Sequence, residues 1–275
     1  NSCPACGAPV DLRGQTTESG GEELPAIPDM ARIQFGQSSC QIAGTYVPTV
    51  DMNLAPDGGV YFSHHVLLWM DTSVQLATLP MKGAWTRMMA GLPLVMMEAK
   101  GPGHLAFSYD DPGEVVAVPL QPGTALDVRE NHFLVATSPV TYDWAQTGVW
   151  FTTRNGDETE WHYPVGKYID RFYSQSTPGL LFLHARGNAF VRTLGPGETI
   201  LIKPPALLYK DPTVGMKLHV EYPHSGITFW RSWGNRYLWL RVWGPGRVAV
   251  QSAYEHLEDP GSAFTSTSGH TEYHW

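Results

Sequence analysis

Positive charge is scarce in this sequence. Only 18 of 275 residues are Lys or Arg against 26 Asp or Glu, giving a formal net charge of −8, and the basic residues form no stripe. Nucleic-acid binding draws on neutralised phosphates, so no nucleic-acid partner is expected. Apolar runs are short: none reaches the roughly 18 residues a membrane-spanning helix needs, and the N-terminus lacks the basic-then-apolar order of a secretory signal. A soluble, cytoplasmic protein is the expectation. Cysteine is nearly absent, with Cys3, Cys6 and Cys40 alone. An odd count with one CxxC makes a poor disulfide framework and suits a reducing compartment. No GxSxG nucleophile elbow occurs either.

Turn formers and apolar residues are plentiful. The chain has 28 Gly, 22 Pro and 43% hydrophobic residues, the texture of many short strands joined by tight turns. Three ungapped stretches of equal length share one pattern: PDGGVYFSHHVLLWMDTSV from Pro56 to Val74, PGTALDVRENHFLVATSPV from Pro122 to Val140, and PGETILIKPPALLYKDPTV from Pro196 to Val214. Each opens on a turn, runs through Val60, Leu126 or Ile200, breaks, and resumes at Leu67, Phe133 or Leu207. A looser element also occurs three times, at Gly103–Phe107, Gly187–Val191 and Gly246–Val250. Its leading glycine suits a backbone angle that other residues avoid. The repeats then cover about 45–110, 115–194 and 195–253, between an N-terminal arm (1–30) and a C-terminal tail (254–275), with 31–253 as a single β domain.

The repeats also bear on His64-His65. The equivalent positions are Glu130-Asn131 and Pro204-Pro205, so the scaffold asks for a turn there and not for a metal ligand.

GPGHLAFSYDDPGEVVAVPL, GLLFLHARGNAFVRTLGPGETILI and WLRVWGPGRVAVQS resemble the hallmark segments of the altered-inheritance-of-mitochondria family, member twenty-four. The resemblance spans roughly residues 30–253, and HHVLLWMD and EWHYP are most similar to its actinobacterial branch. It implies an all-β chain related to the double-stranded β-helix and to the tryptophan RNA-binding attenuation protein, with three repeats in pseudo-threefold arrangement and a tendency to form homo-oligomers. The mitochondrial member is linked to inner-membrane organisation; the bacterial members bring no agreed activity and no catalytic residue to carry over. Membrane association of this acidic chain is not expected, because anionic lipids attract basic segments.

The chemistry-bearing groups are few. CPACG places Cys3 and Cys6 as the knuckle of a zinc ribbon, half of a tetrahedral shell, so a structural zinc is a candidate there and no other cofactor is expected. A cupin-like metal site wants His-x-His followed by Glu; adjacent His64 and His65 would point to opposite faces of a strand. Cys40 in SSCQIAG reads as a small residue on an early strand. Asp157, Glu158 and Glu160 beside Asn155-Gly156 read as a solvated hairpin tip.

The stretch FWRSWGNRYLWLRVWG interleaves Trp230, Trp233, Trp239 and Trp243 with Arg231, Arg236 and Arg241. Aromatics with arginine are favoured at protein interfaces. Trp230, Trp233, Arg236 and Trp239 are therefore the expected contact surface, with Tyr273 and Trp275 of the tail as a clasp. The expectation is a non-enzymatic scaffold that assembles with itself and with a protein partner. The alternative is a metal-dependent or small-ligand-binding cupin-like β-helix protein.

Overall fold

The computed structural model describes residues 32–79, 96–155, 157–221 and 237–255, with two further strands at Phe264–Thr267 and Glu272–His274. Among the described residues every regular element is a strand, apart from two single 3-10 turns at His64–Val66 and Pro204–Ala206. The expected all-β class is therefore observed, and its cause is local: β-branched and aromatic residues alternate with polar ones between Gly and Pro turns. The chain forms two compact units, one comprising residues up to Val115 with Leu134–Ser138, the other Val116–Phe133 with Pro139 onward.

In the first unit an antiparallel sheet runs in the order Arg32–Phe35, Ser38–Ala43, Thr49–Leu54, Gly103–Ser108, Leu67–Met70. Further strands pair in the order Gln75–Thr78, Met96–Lys100, Gly59–Ser63, Phe133–Thr137. Along Thr49–Leu54 the side chains of Val50, Met52 and Leu54 are buried while Asp51 and Asn53 are not, the period of two that a half-buried strand dictates. Phe62 and Phe107 meet at 4.8 Å between ring centroids within the core of this unit.

In the second unit six antiparallel strands run Val140–Gln146, Tyr168–Ser174, Ala125–Arg129, Leu207–Lys210, Gly246–Gln251, Ala189–Leu194. A four-stranded sheet has the order Thr199–Ile202, Tyr237–Trp243, Gly215–Glu221, Glu272–His274, the last strand parallel to its neighbour. A hairpin of Phe151–Asn155 and Glu158–His162 takes Phe264–Thr267 on its free edge. The apolar core here includes Val149, Phe151, Leu194, Leu207, Leu218, Leu240, Val242 and Val248.

Two stretches are built alike. Leu67, Trp69 and Met70 face Phe107, Ala106 and Leu105, with a register shift between Leu67 and Trp69. Leu207, Tyr209 and Lys210 face Val250, Ala249 and Val248, with the shift at the same place. Asp71 accepts from the backbone N–H of His104 at 2.8 Å, and Asp211 from that of Arg247 at 2.8 Å. Gly103 and Gly246 have φ of 144° and 137°. A Cβ there would lie 2.9 Å from Cγ2 of Val74 and of Val214 respectively, so both sites require glycine on space as well as angle. Gly187, by contrast, has φ of 66° in the turn joining Gly179–Arg186 to Ala189–Leu194.

Candidate interaction surface

Strand Tyr237–Trp243 separates its two kinds of residue by face. Leu240 and Val242 are buried in the core and Leu238 packs against it. The period of two then sends Tyr237, Trp239, Arg241 and Trp243 to the other face, where Tyr237 is exposed and the other three are half-buried. The Tyr237 and Trp239 rings stack at 6.0 Å. Lys203 places its ammonium 4.5 Å from the Trp239 centroid and 5.1 Å from that of Tyr237, the geometry of a cation–π contact. Trp239 donates its indole N–H to the Glu221 carboxylate at 3.0 Å. Lys217 lies 5.8 Å from the Trp243 ring, which covers Gly215. The result is a polar-tipped aromatic face, with the Trp239 indole N–H already satisfied and its rings positioned by neighbours.

Of the residues expected at this surface, Trp239 lies on that face. Trp230, Trp233 and Arg236 lie outside the described residues, as do Trp275, Cys3 and Cys6. Tyr273 belongs to a strand whose register sets it against Val220 of the same chain. Sequence reasoning missed Lys203, Tyr237 and Glu221. Tyr237 was legible in principle, two residues before Trp239 on a strand; Lys203 and Glu221 arrive through pairing with distant strands.

The structure places the other candidates as follows. His64 and His65 are exposed on the 3-10 turn, their rings 5.6 Å apart; burial, then the neighbouring His64, lowers the His65 pKa from its ordinary value. Cys40 is buried on Ser38–Ala43, and burial pushes its thiol up to about 12, which disfavours the thiolate a nucleophile needs. Asp157, Glu158 and Glu160 are exposed at the hairpin tip. Among the described residues no group of three or more His, Cys, Asp or Glu is placed to hold a metal ion. No helix there is long and apolar enough to cross a membrane.

Two buried polar centres were not foreseen. Asp127 accepts from Arg171 at 2.6 and 2.9 Å and from Lys210 at 3.0 Å, joining three adjacent strands. Burial pushes the Asp127 carboxyl up, but hydrogen bonds from Arg171 and the Lys210 charge outweigh it and hold the group below its ordinary value. His132 is buried, with Nδ1 2.8 Å from the His184 carbonyl oxygen and Nε2 3.4 Å from the Gln251 amide nitrogen. Burial drives its pKa down to about 4. The ring is then neutral, with Nδ1 donating and Nε2 accepting. Both centres tie together segments that are distant in the chain.

The family model described as "Mitochondrial biogenesis AIM24" matches residues 40–253. The chain belongs to the AIM24 family. A search of curated proteins finds no match. Among solved structures, this AIM24-family chain is similar to protein SPYM3_0169 from Streptococcus pyogenes, with a TM-score of 0.56 and 18% identity over 79% of this chain and 94% of that one. At that identity the likeness speaks to the fold alone.

Proposed function

We propose that this AIM24-family chain is a non-catalytic scaffold of three β-repeats, in a pseudo-threefold, double-stranded β-helix-like arrangement, that acts in the cytoplasm by assembling with itself and binding a protein partner. Strand pairing supports the repeats. Over 49–108, strand Gly59–Ser63 pairs with Met96–Lys100, which pairs with Gln75–Thr78, while Leu67–Met70 pairs with Gly103–Ser108, which pairs with Thr49–Leu54. Over 189–251 the same order runs through Thr199–Ile202, Tyr237–Trp243 and Gly215–Glu221, and through Leu207–Lys210, Gly246–Gln251 and Ala189–Leu194. In the middle, Ala125–Arg129 pairs with Tyr168–Ser174, which pairs with Val140–Gln146. There Gly179–Arg186 follows Tyr168–Ser174 in the chain as Gly103–Ser108 follows Met96–Lys100.

The observation carrying the function is the aromatic, cation-decorated face of Tyr237–Trp243, turned away from the core on one strand. A stacked Tyr and Trp, with the Trp239 indole N–H already bonded to Glu221, match the composition of binding hot spots. The test is a native mass spectrum of protein purified without chelator, together with capture of partners by the wild type and by alanine variants at Trp230, Trp233, Arg236 and Trp239. If neither oligomeric state nor partner capture changes across those variants, the reading fails. The same spectrum weighs zinc: stoichiometric metal lost on Cys3→Ser or Cys6→Ser marks the CPACG knuckle as structural, whereas metal lost on His64→Ala or His65→Ala favours the cupin-like alternative.

A further inference from the structure

The chain contains one inter-strand joint twice. Phe62, Tyr61 and Val60 face Val135, Ala136 and Thr137; Val128 and Asp127 face Tyr209 and Lys210. Numbered by their place in the three aligned stretches, these are the same positions in antiparallel register: Phe62 matches Val128, and Val135 matches Tyr209. In each case the first strand of one stretch meets the second strand of the next. One first strand and one second strand are left over, Thr199–Ile202 and Leu67–Met70. Each lies at the edge of its sheet.

Exposure tracks this difference. Leu134, Val135 and Ala136 are each 0% exposed, and Leu208, Tyr209 and Lys210 are 0%, 3% and 6%. Their equivalents Leu68, Trp69 and Met70 are 59%, 45% and 38% exposed, and Leu201 across the unused joint is 39% exposed. An edge strand that presents large apolar side chains and unused backbone groups is a template for another strand.

We infer that the edge Leu67–Met70 of one copy is completed by the edge Thr199–Ile202 of a second copy, antiparallel, with Met70 opposite Leu201 and Trp69 opposite Ile202. The chain's own two precedents set the class of strand and the register, and a second copy supplies the strand because Leu67–Met70 and Thr199–Ile202 end separate sheets and do not pair with each other within the chain. The contact is head-to-tail, so it yields a ring where the rotation closes and a filament where it does not. It rests on the self-assembly reading above and names the surface that reading needs.

The test uses two proteins in a Cys3→Ser, Cys6→Ser background, each with one introduced cysteine beside the buried Cys40, one carrying Met70→Cys and the other Leu201→Cys, mixed under mild oxidation and compared with native masses. The expected result is a disulfide-linked pair formed in the mixture and by neither protein alone. Replacing Leu201→Cys with Ile200→Cys should remove most of the product, because a one-residue slip turns the thiol to the other face. Oligomers that give no such cross-link overturn the edge pairing while leaving self-assembly standing. A purely monomeric mass overturns both. A chain carrying both Met70→Cys and Leu201→Cys that links only within itself shows that the occupant is not a second copy. A Met70→Lys change, on an exposed side chain, should lower the oligomer fraction at least several-fold with an unchanged circular dichroism spectrum; an unchanged fraction counts against the joint.

Discussion

Asp127 and Lys210 are 83 residues apart in the chain and 3.0 Å apart in the fold, both buried. They face each other across two neighbouring strands whose register pairs Asp127 with Lys210, and Asp127 with Arg171 on the other side. The equivalent pair in the first joint is Tyr61 with Ala136, so the joint itself does not demand charge.

A consequence is a strong asymmetry between single and double replacements. Asp127→Ala leaves the Lys210 ammonium buried without its carboxylate and should cost about 3–5 kcal/mol, whereas an apolar replacement of both partners approaches neutrality. Urea unfolding of Asp127→Ala, Lys210→Met and the double variant measures this as a coupling energy. Strict additivity of the two single effects would show that the pair does not act as a unit.

Much of the scaffold was legible in sequence because it depends on local spacing. The turn-run-break-run pattern marked the first and second strands of three stretches, and the breaks at His64-His65, Glu130-Asn131 and Pro204-Pro205 are indeed turns. Gly103, Gly187 and Gly246 were singled out for their backbone angle, and all three carry a positive φ. What escaped depends on partners distant in the chain. LLWM and LLYK look equally core-like in sequence, yet one is largely exposed and the other buried, because only the second has strands on both sides. Asp127 was unremarkable until strand register brought Lys210 and Arg171 to it.

Gly246→Ala should be destabilising in proportion to the crowding it meets. The new methyl would sit 2.7 Å from Thr213 Oγ1 and 2.9 Å from Val214 Cγ2, at φ of 137°. Steric overlap and a disfavoured angle together should cost more than about 1 kcal/mol. Gly103→Ala should behave alike, whereas Gly123→Ala, with nothing within 4 Å of the added carbon, is burdened by its φ alone. Thermal melts of the three variants rank them; Gly123→Ala as the worst of the three would contradict the shared design of the other two sites.

Trp239→Ala separates stability from assembly. It removes a half-buried ring, the Lys203 contact and the indole hydrogen bond to Glu221, none of which belongs to the apolar core. The expected loss of stability is modest, on the order of 1–2 kcal/mol, with a larger loss of partner capture. Trp239→Phe keeps a ring over Lys203 and should restore most of the capture. If Trp239→Ala unfolds the protein outright, the residue is structural and the face is not an interaction surface.

His132 gives the chain a pH dependence whose sign is fixed by its burial. Its pKa falls from 6.5 to about 4 in the folded state, so the unfolded chain binds the proton more readily than the native one. Its contribution to stability is complete above pH 6.5 and is lost as pH falls toward 4. A shift of that size corresponds to about 3 kcal/mol. The groups around the ring reinforce the direction: Arg129 and Arg186 are cationic, Gln251 is neutral, and the His184 carbonyl alone favours the charged form. His132→Gln keeps a side chain able to donate to the His184 carbonyl but cannot titrate. Chemical denaturation of both proteins between pH 7.5 and 4.5 should therefore give a steep decline for the wild type and a shallower one for the variant, whatever the variant's absolute stability. Equal slopes would mean that the His132 ring already carries its proton in the folded protein near neutral pH, contrary to its burial among arginines.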